Sequence, residues 1–165
     1  MERLTHRQLC EIGAKWLVNV NNWIFRCQYA AVELVSSAME NPDVFGLRHD
    51  KPILIEVKVS KSDFKRDAFK RHKNLTDGMG ATRYFLCPKG VISKEDITNG
   101  WGLLWYDAGK IEVVKESEFF SVRDYSSELI FAMSIIRRLQ GNNKIIDFRT
   151  KPVDANTLET NPYEL

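Results

Sequence analysis

The chain has 165 residues and a mass of 19.1 kDa, a size at which one hydrophobic core can bury most of the apolar surface of the unfolded chain. Hydrophobic residues at 44% and charged residues at 28% are those of an ordinary globular protein and exclude disordered, collagenous or fibrous classes. The net charge of +2 is small, but its distribution is uneven: from Lys58 to Lys73, seven Lys or Arg face only Asp63 and Asp67, a local +5, as a basic face for a polyanion would require.

The start of the chain has no apolar run behind a basic segment, and no stretch approaches the roughly 18 apolar residues of a membrane span. The expectation is a cytoplasmic protein with no membrane partner. Cys10, Cys27 and Cys87 are odd in number and far apart, which fits neither a disulfide framework nor paired zinc spacing; they read as small core residues in a reducing compartment.

In chain order, Thr5 and Gln8 form a capping-box pattern, and Leu9, Ile12, Trp16 and Leu17 recur with helical spacing, which predicts a helix from about Thr5 to Val18. Asn21-Asn22 breaks it. Trp23 to Val35, rich in β-branched and aromatic residues, reads as a strand, and Asp43 to Leu47 as a second, short one. The run Ile53 to Val59 alternates, with Ile53, Ile55, Val57 and Val59 on one face and Leu54, Glu56 and Lys58 on the other. Ser60 or Ser62 caps a helix over about Asp63–Lys73. Arg83 to Cys87 is a buried strand, and Ser93 to Ile97 a helical turn. Leu103–Tyr106 and Ile111–Val114 flank the turn Asp107-Ala108-Gly109-Lys110 as a hairpin. Leu129, Ile130, Met133, Ile136 and Leu139 mark the apolar stripe of a last helix ended by Gly141. The expected domain runs over 1–140, and 141–165, polar and carrying Pro152 and Pro162, is a tail. Helix, three strands, helix, strand, hairpin and helix make an α/β layer arrangement.

Pro42-Asp43, a gap, then Glu56-Val57-Lys58 has a chemical reading. Phosphodiester hydrolysis needs a divalent ion to polarise the phosphoryl oxygen and acidify the attacking water. Two carboxylates from adjacent strands are hard oxygen ligands suited to Mg²⁺ (or Mn²⁺), so Asp43 and Glu56 are the candidate metal ligands. Lys58, on the face of Glu56, can orient the water or stabilise developing charge. The alternative for Glu56 and Lys58 is a solvent-facing strand pair of opposite charge.

With its acids on strands two and three, behind one helix and before another, the chain resembles the PD-(D/E)XK nuclease superfamily. It is more closely similar to the MmcB-like DNA repair proteins through Glu56-Val57-Lys58-Val59-Ser60-Lys61-Ser62-Asp63-Phe64-Lys65-Arg66-Asp67, with Lys70 beyond, through Tyr84-Phe85-Leu86-Cys87-Pro88 with Gly90-Val91-Ile92, and through Gly102-Leu103-Leu104. The resemblance spans about Glu33 to Val114. It implies a restriction-endonuclease-like αβββαβ core with a mixed central sheet flanked by helices, and a Mg²⁺- or Mn²⁺-dependent deoxyribonuclease acting in DNA repair or processing.

Superfamily members often add an acid from the first helix or strand, and here Glu33 is preferred to Glu11, which lies opposite the helix's apolar stripe with Lys15 as a salt-bridge partner. The expected catalytic set is Glu33, Asp43, Glu56 and Lys58. Asp63, Asp67 and Lys70 share a helical face and either support the site or are a solvated face pairing with Arg66 and Arg71. Lys61, Lys65, Arg66 and Lys73 are the candidates for neutralising DNA phosphates. Trp101, Trp105, Tyr106 and Phe85 read as core, and His6, His49 and His72 have no metal-like spacing. Two other functions stay open: a nuclease-fold DNA-binding module with weak or absent hydrolysis, and an α/β interaction domain whose basic helix contacts an acidic protein.

Overall fold

The computed structural model describes residues 4–71 and 78–140, with side chains for all of these but 67–71 and 140. Lys73, His72 and the segment 141–165 lie outside the described residues, as do the side chains of Asp67 and Lys70. The chain divides into two compact units, Met1–Ala132 and Met133–Leu165. The first contains the whole sheet.

Helix α1 (His6–Asn19) starts where its caps put it. Thr5 Oγ1 accepts from the Gln8 N–H at 3.2 Å, and Gln8 Oε1 accepts from the Thr5 N–H at 2.8 Å, so two orphan amides are satisfied reciprocally. Strand β1 is shorter than expected, Tyr29–Val32. Its expected first half is a turn instead: Asn22 accepts from the Phe25 and Arg26 amides through its carbonyl and from the Ile24 N–H through its side chain, an Asx turn that competes with extended pairing. This turn folds Phe25 and Cys27 back under α1, where the Cys27 N–H donates to Leu17 O at 2.8 Å.

Strands β2 (Val44–Leu47) and β3 (Ile53–Val57), helix α2 (Lys61–Arg71) and strand β4 (Thr82–Pro88) follow. A single 3₁₀ turn at Lys94–Asp96 precedes β5 (Gly102–Asp107), β6 (Lys110–Lys115) and helix α3 (Tyr125–Gln140). Helix α2 begins two residues before the expected Asp63, because Ser60 is its cap: Ser60 Oγ accepts from the Asp63 N–H at 3.2 Å. Between β5 and β6, Ala108 (φ 45°) and Gly109 (φ 85°) make the tight hairpin turn expected there, the twist that antiparallel strands favour.

The six strands form one mixed sheet in the order β1-β2-β3-β4-β5-β6. β1, β2 and β3 are antiparallel, β3, β4 and β5 are parallel, and β6 returns antiparallel to β5. The β3–β4 connection runs through α2, since parallel neighbours need a crossover.

Alternation sends Val44, Ile53, Ile55, Val57, Tyr84, Leu86 and Leu104 to the face covered by α1, which adds Leu9, Cys10, Ala14 and Leu17. The helix sits close because Gly13 and Gly46 lack a Cβ: one at Gly13 would lie 2.9 Å from Leu86 Cδ2, and one at Gly46 2.9 Å from Leu17 Cδ1 of the helix. The opposite face carries Phe45, Leu54 and Phe85. There Phe64 of α2 meets Phe85 edge-on at 5.1 Å, Trp101 stacks on the same ring at 4.6 Å, and Phe131 of α3 meets Phe45 at 5.0 Å. Phe131, outside the expected stripe of α3, is the fully buried residue, while Leu129, Ile130, Met133, Ile136 and Leu139 are exposed among the described residues. The aromatic pocket beside Phe45, rather than the helix's own periodicity, selects its inward side. No helix among the described residues is long and apolar enough to cross a membrane.

Candidate functional site

Asp43 precedes β2, one step beyond the Val44↔Ile55 pair, so it comes opposite Glu56. The Val57 N–H, between Glu56 and Lys58 in sequence, donates to Asp43 Oδ2 at 2.7 Å. The acid on one strand is thus pinned to the backbone that carries the other acid and the lysine. Beyond Val57 the chain keeps its parallel partner, the Lys58 N–H donating to Leu86 O at 2.9 Å. Lys58 Nζ lies 3.6 Å from Glu56 Oε2. Their side chains are only 5% and 11% exposed, so the pair is a buried ionic one. A solvent-facing pair, the alternative, is not what the structure contains.

Asp43 is more open, with a side-chain exposure of 20%. It faces His6, the first residue of α1, whose Nε2 is 3.3 Å from Asp43 Oδ2. The other imidazole nitrogen, Nδ1, is 3.3 Å from Glu33 Oε1 and 3.5 Å from Cys10 Sγ. Glu33 lies just past β1 with φ 45°, and its N–H donates to Asp43 O at 2.8 Å. Backbone in the left-handed region is costly for a residue other than glycine; here it turns the carboxylate toward α1. Glu33 Oε2 also accepts from Arg7 Nη1 at 3.0 Å, and Arg7 Nε pairs with Glu11 Oε1 at 3.1 Å. Glu11 is therefore engaged with Arg7 on the outside of α1.

Of the expected catalytic residues, then, Asp43 and Glu33 meet around His6, Glu56 and Lys58 meet each other, and the Val57 amide joins the two pairs. The Cys10 thiol feels all three acids: burial pushes it up to about 12, and the Asp43, Glu33 and Glu56 carboxylates add to that. Burial likewise raises Cys27 to about 12 and Cys87 to about 11. All three cysteines are free and buried, so at neutral pH they are protonated.

His6 and Cys10 are site residues that sequence reasoning missed. The signal was present but faint: they stand one helical turn apart, the spacing of two donors on one helix face. The basic segment is placed less simply. The Lys61 ammonium bonds Asp96, the last residue of the 3₁₀ turn, and Arg66 pairs with Asp63 of its own helix at 2.8 Å. Lys65 is exposed. Phe85 and Trp101 are buried as expected, and Trp105 donates its Nε1–H to Ile92 O at 2.7 Å.

No protein-family model matches the chain, and no curated protein matches it. Among solved structures it is similar to the SPO1766 protein of unknown function from Silicibacter pomeroyi, at 20% identity and a TM-score of 0.59, over 88% of this chain and 100% of that one. Likeness at that identity concerns the fold: an α/β protein with a mixed sheet flanked by helices.

Proposed function

We propose that the chain is a metal-dependent nuclease-like protein of the PD-(D/E)XK type, similar to the MmcB-like repair proteins, that hydrolyses phosphodiester bonds in DNA. The observation that carries this reading is the Val57 N–H bond to Asp43, which locks the acid just before β2 to the Glu56–Lys58 end of β3. The order helix, three antiparallel strands, helix, parallel strand supports a restriction-endonuclease-like core. Asp43 and Glu56 offer hard carboxylate oxygens, a donor set that fits Mg²⁺ or Mn²⁺. A bound ion would polarise the phosphoryl oxygen and lower the pKa of the attacking water. Lys58 holds an ammonium where negative charge would develop, and Glu33, ordered by Arg7, is a further acid at the open side. Lys65 and Arg66 on the outer surface of α2 would approach DNA phosphates, with Lys61 and Lys73 as further candidates.

The test is cleavage of single-stranded, duplex, flap and branched DNA with Mg²⁺ or Mn²⁺. Asp43→Asn and Glu56→Gln preserve size and can still accept hydrogen bonds, so a ligand role gives cleavage lost by at least about a hundredfold in variants that circular dichroism shows to be folded. Because Glu56→Gln removes the carboxylate from the buried Lys58 ammonium, its urea midpoint is measured as well. Equal cleavage by wild type and both variants refutes the site.

One observation favours a second reading, a DNA-binding module without hydrolysis: Glu56 and Lys58 are buried against each other. Salt-dependent DNA binding with no cleavage on any substrate is its signature.

A further inference from the structure

His6 and Cys10 present an imidazole and a thiol from one face of α1, and the Asp43 carboxylate meets them from the start of β2. One donor atom from each lies within 4.8 Å of the other two. We infer that His6, Cys10 and Asp43 form a binding site for a thiolate-preferring divalent transition metal ion of the Zn²⁺ class. The inference goes beyond the phosphodiesterase reading and does not rest on it, although both use Asp43.

Three features carry it. The first is spacing: four-coordinate Zn²⁺ with bonds of about 2.0–2.3 Å sets its donors roughly 3.3–3.7 Å apart. Cys10 Sγ and His6 Nδ1 already stand at 3.5 Å, while Asp43 Oδ2, 3.3 Å from the other ring nitrogen, reaches the same ion by a turn of its side chain, the three residues offering donors within 4.8 Å of one another. The second is scaffolding. The two donors lie four residues apart on a rigid helix, an arrangement that holds zinc in helical two-donor motifs, and Asp43 Oδ2 is oriented by the Val57 N–H, the kind of outer support that fixes a ligand. The third is donor chemistry. Imidazole and thiolate are soft or borderline ligands that select Zn²⁺ over Mg²⁺, whereas the Asp43–Glu56 pair offers oxygen alone.

Three protein ligands leave a fourth position open, as catalytic or exchangeable zinc sites do. Glu33 Oε1, 3.3 Å from His6 Nδ1, is the nearest carboxylate to fill it. Binding removes the proton from the Cys10 thiol, which passes to water, and leaves His6 neutral with one nitrogen on the ion.

The full chain is titrated with Co²⁺ and with Zn²⁺, without any nucleic acid. The expected result is a thiolate-to-cobalt charge-transfer absorption at one ion per chain, displaced by Zn²⁺. Cys10→Ser should abolish that absorption, and His6→Asn should weaken Zn²⁺ binding about tenfold or more. Glu56→Gln should leave both intact. Because Cys10 is fully buried and its variant can fail to fold, His6→Asn in the half-exposed first turn supplies the second reading, with the folded state of each checked by circular dichroism. A wild type without thiolate absorption overturns the site. So does absorption that survives in a folded Cys10→Ser, or Zn²⁺ affinity unchanged in a folded His6→Asn. Ion binding lost in Glu56→Gln but kept in Cys10→Ser would also overturn it, while leaving the phosphodiesterase reading standing.

Discussion

Asp96 shows how far a single carboxyl can be moved near the surface. Hydrogen bonds from Lys61, and then from the Ser93 hydroxyl and amide, hold it at about 2, below its usual 3.8. A depressed carboxyl contributes stability above the unfolded-state value and loses it as pH falls through the folded one. Acid unfolding should therefore gain a component between about pH 4 and pH 2, and Lys61→Ala should weaken it. The measurement is the urea midpoint against pH for both proteins, and parallel curves would remove the ion pair from the account. Lys58 is different because it is buried. Lys58→Ala breaks a desolvated pair with Glu56 and should cost about 3–5 kcal/mol, so its urea midpoint must be measured beside its turnover before lost cleavage is assigned to charge stabilisation.

Helix α1 owes its first turn to the Thr5–Gln8 capping box, and that turn carries His6. Thr5→Ala should cost about 1 kcal/mol, seen as a lower urea midpoint at unchanged slope; a midpoint equal to wild type would show the box to be dispensable. In α3, Phe131 fills the space beside Phe45. Its replacement by alanine should cost about 3–5 kcal/mol, while Leu129→Ala, on the exposed side, should stay within about 0.5 kcal/mol. The reverse ranking would mean that α3 docks by the stripe visible in its sequence. Periodicity shows that a stripe exists but does not say what covers it. On α3 the buried positions are the aromatic Phe131 and two serines, Ser127 and Ser134.

Across the first compact unit, distant segments meet at one ion pair. Arg123 Nε pairs with Glu128 Oε1 at 3.0 Å, the Arg123 guanidinium also donates to Asp50 O before β3, and Glu128 Oε1 accepts from the Gly80 N–H at 2.9 Å before β4. Arg123→Ala should destabilise by about 3–5 kcal/mol in urea unfolding, and a loss below 1 kcal/mol would place the joint elsewhere. Function at this level depends on the charge of α2. If its outer side faces DNA, Lys65→Ala and Arg66→Ala should each weaken binding to unrelated sequences and lower the salt slope by about 1. Affinity and slope unchanged in both would take α2 off the interface.

Short-range physics was readable along the chain. The Thr5–Gln8 cap, the alternation over Ile53–Val59 that puts Glu56 and Lys58 on one face, the Asp107–Lys110 turn and the order of elements all depend on neighbours within a few residues, where steric and hydrogen-bonding rules act directly. The Asn22 turn is local as well, but apolar Trp23, Ile24 and Phe25 imitate a strand, and the competition is decided by Phe25 and Cys27 packing under α1. Whether Glu56 and Lys58 met solvent or each other depended on what covers that face of the sheet. The place of His6 between Glu33 and Asp43 depended on α1 crossing the ends of β1 and β2, and those contacts join residues far apart in sequence. Such contacts leave no periodic trace, because packing needs only compatible shape and charge at the point where two segments happen to meet.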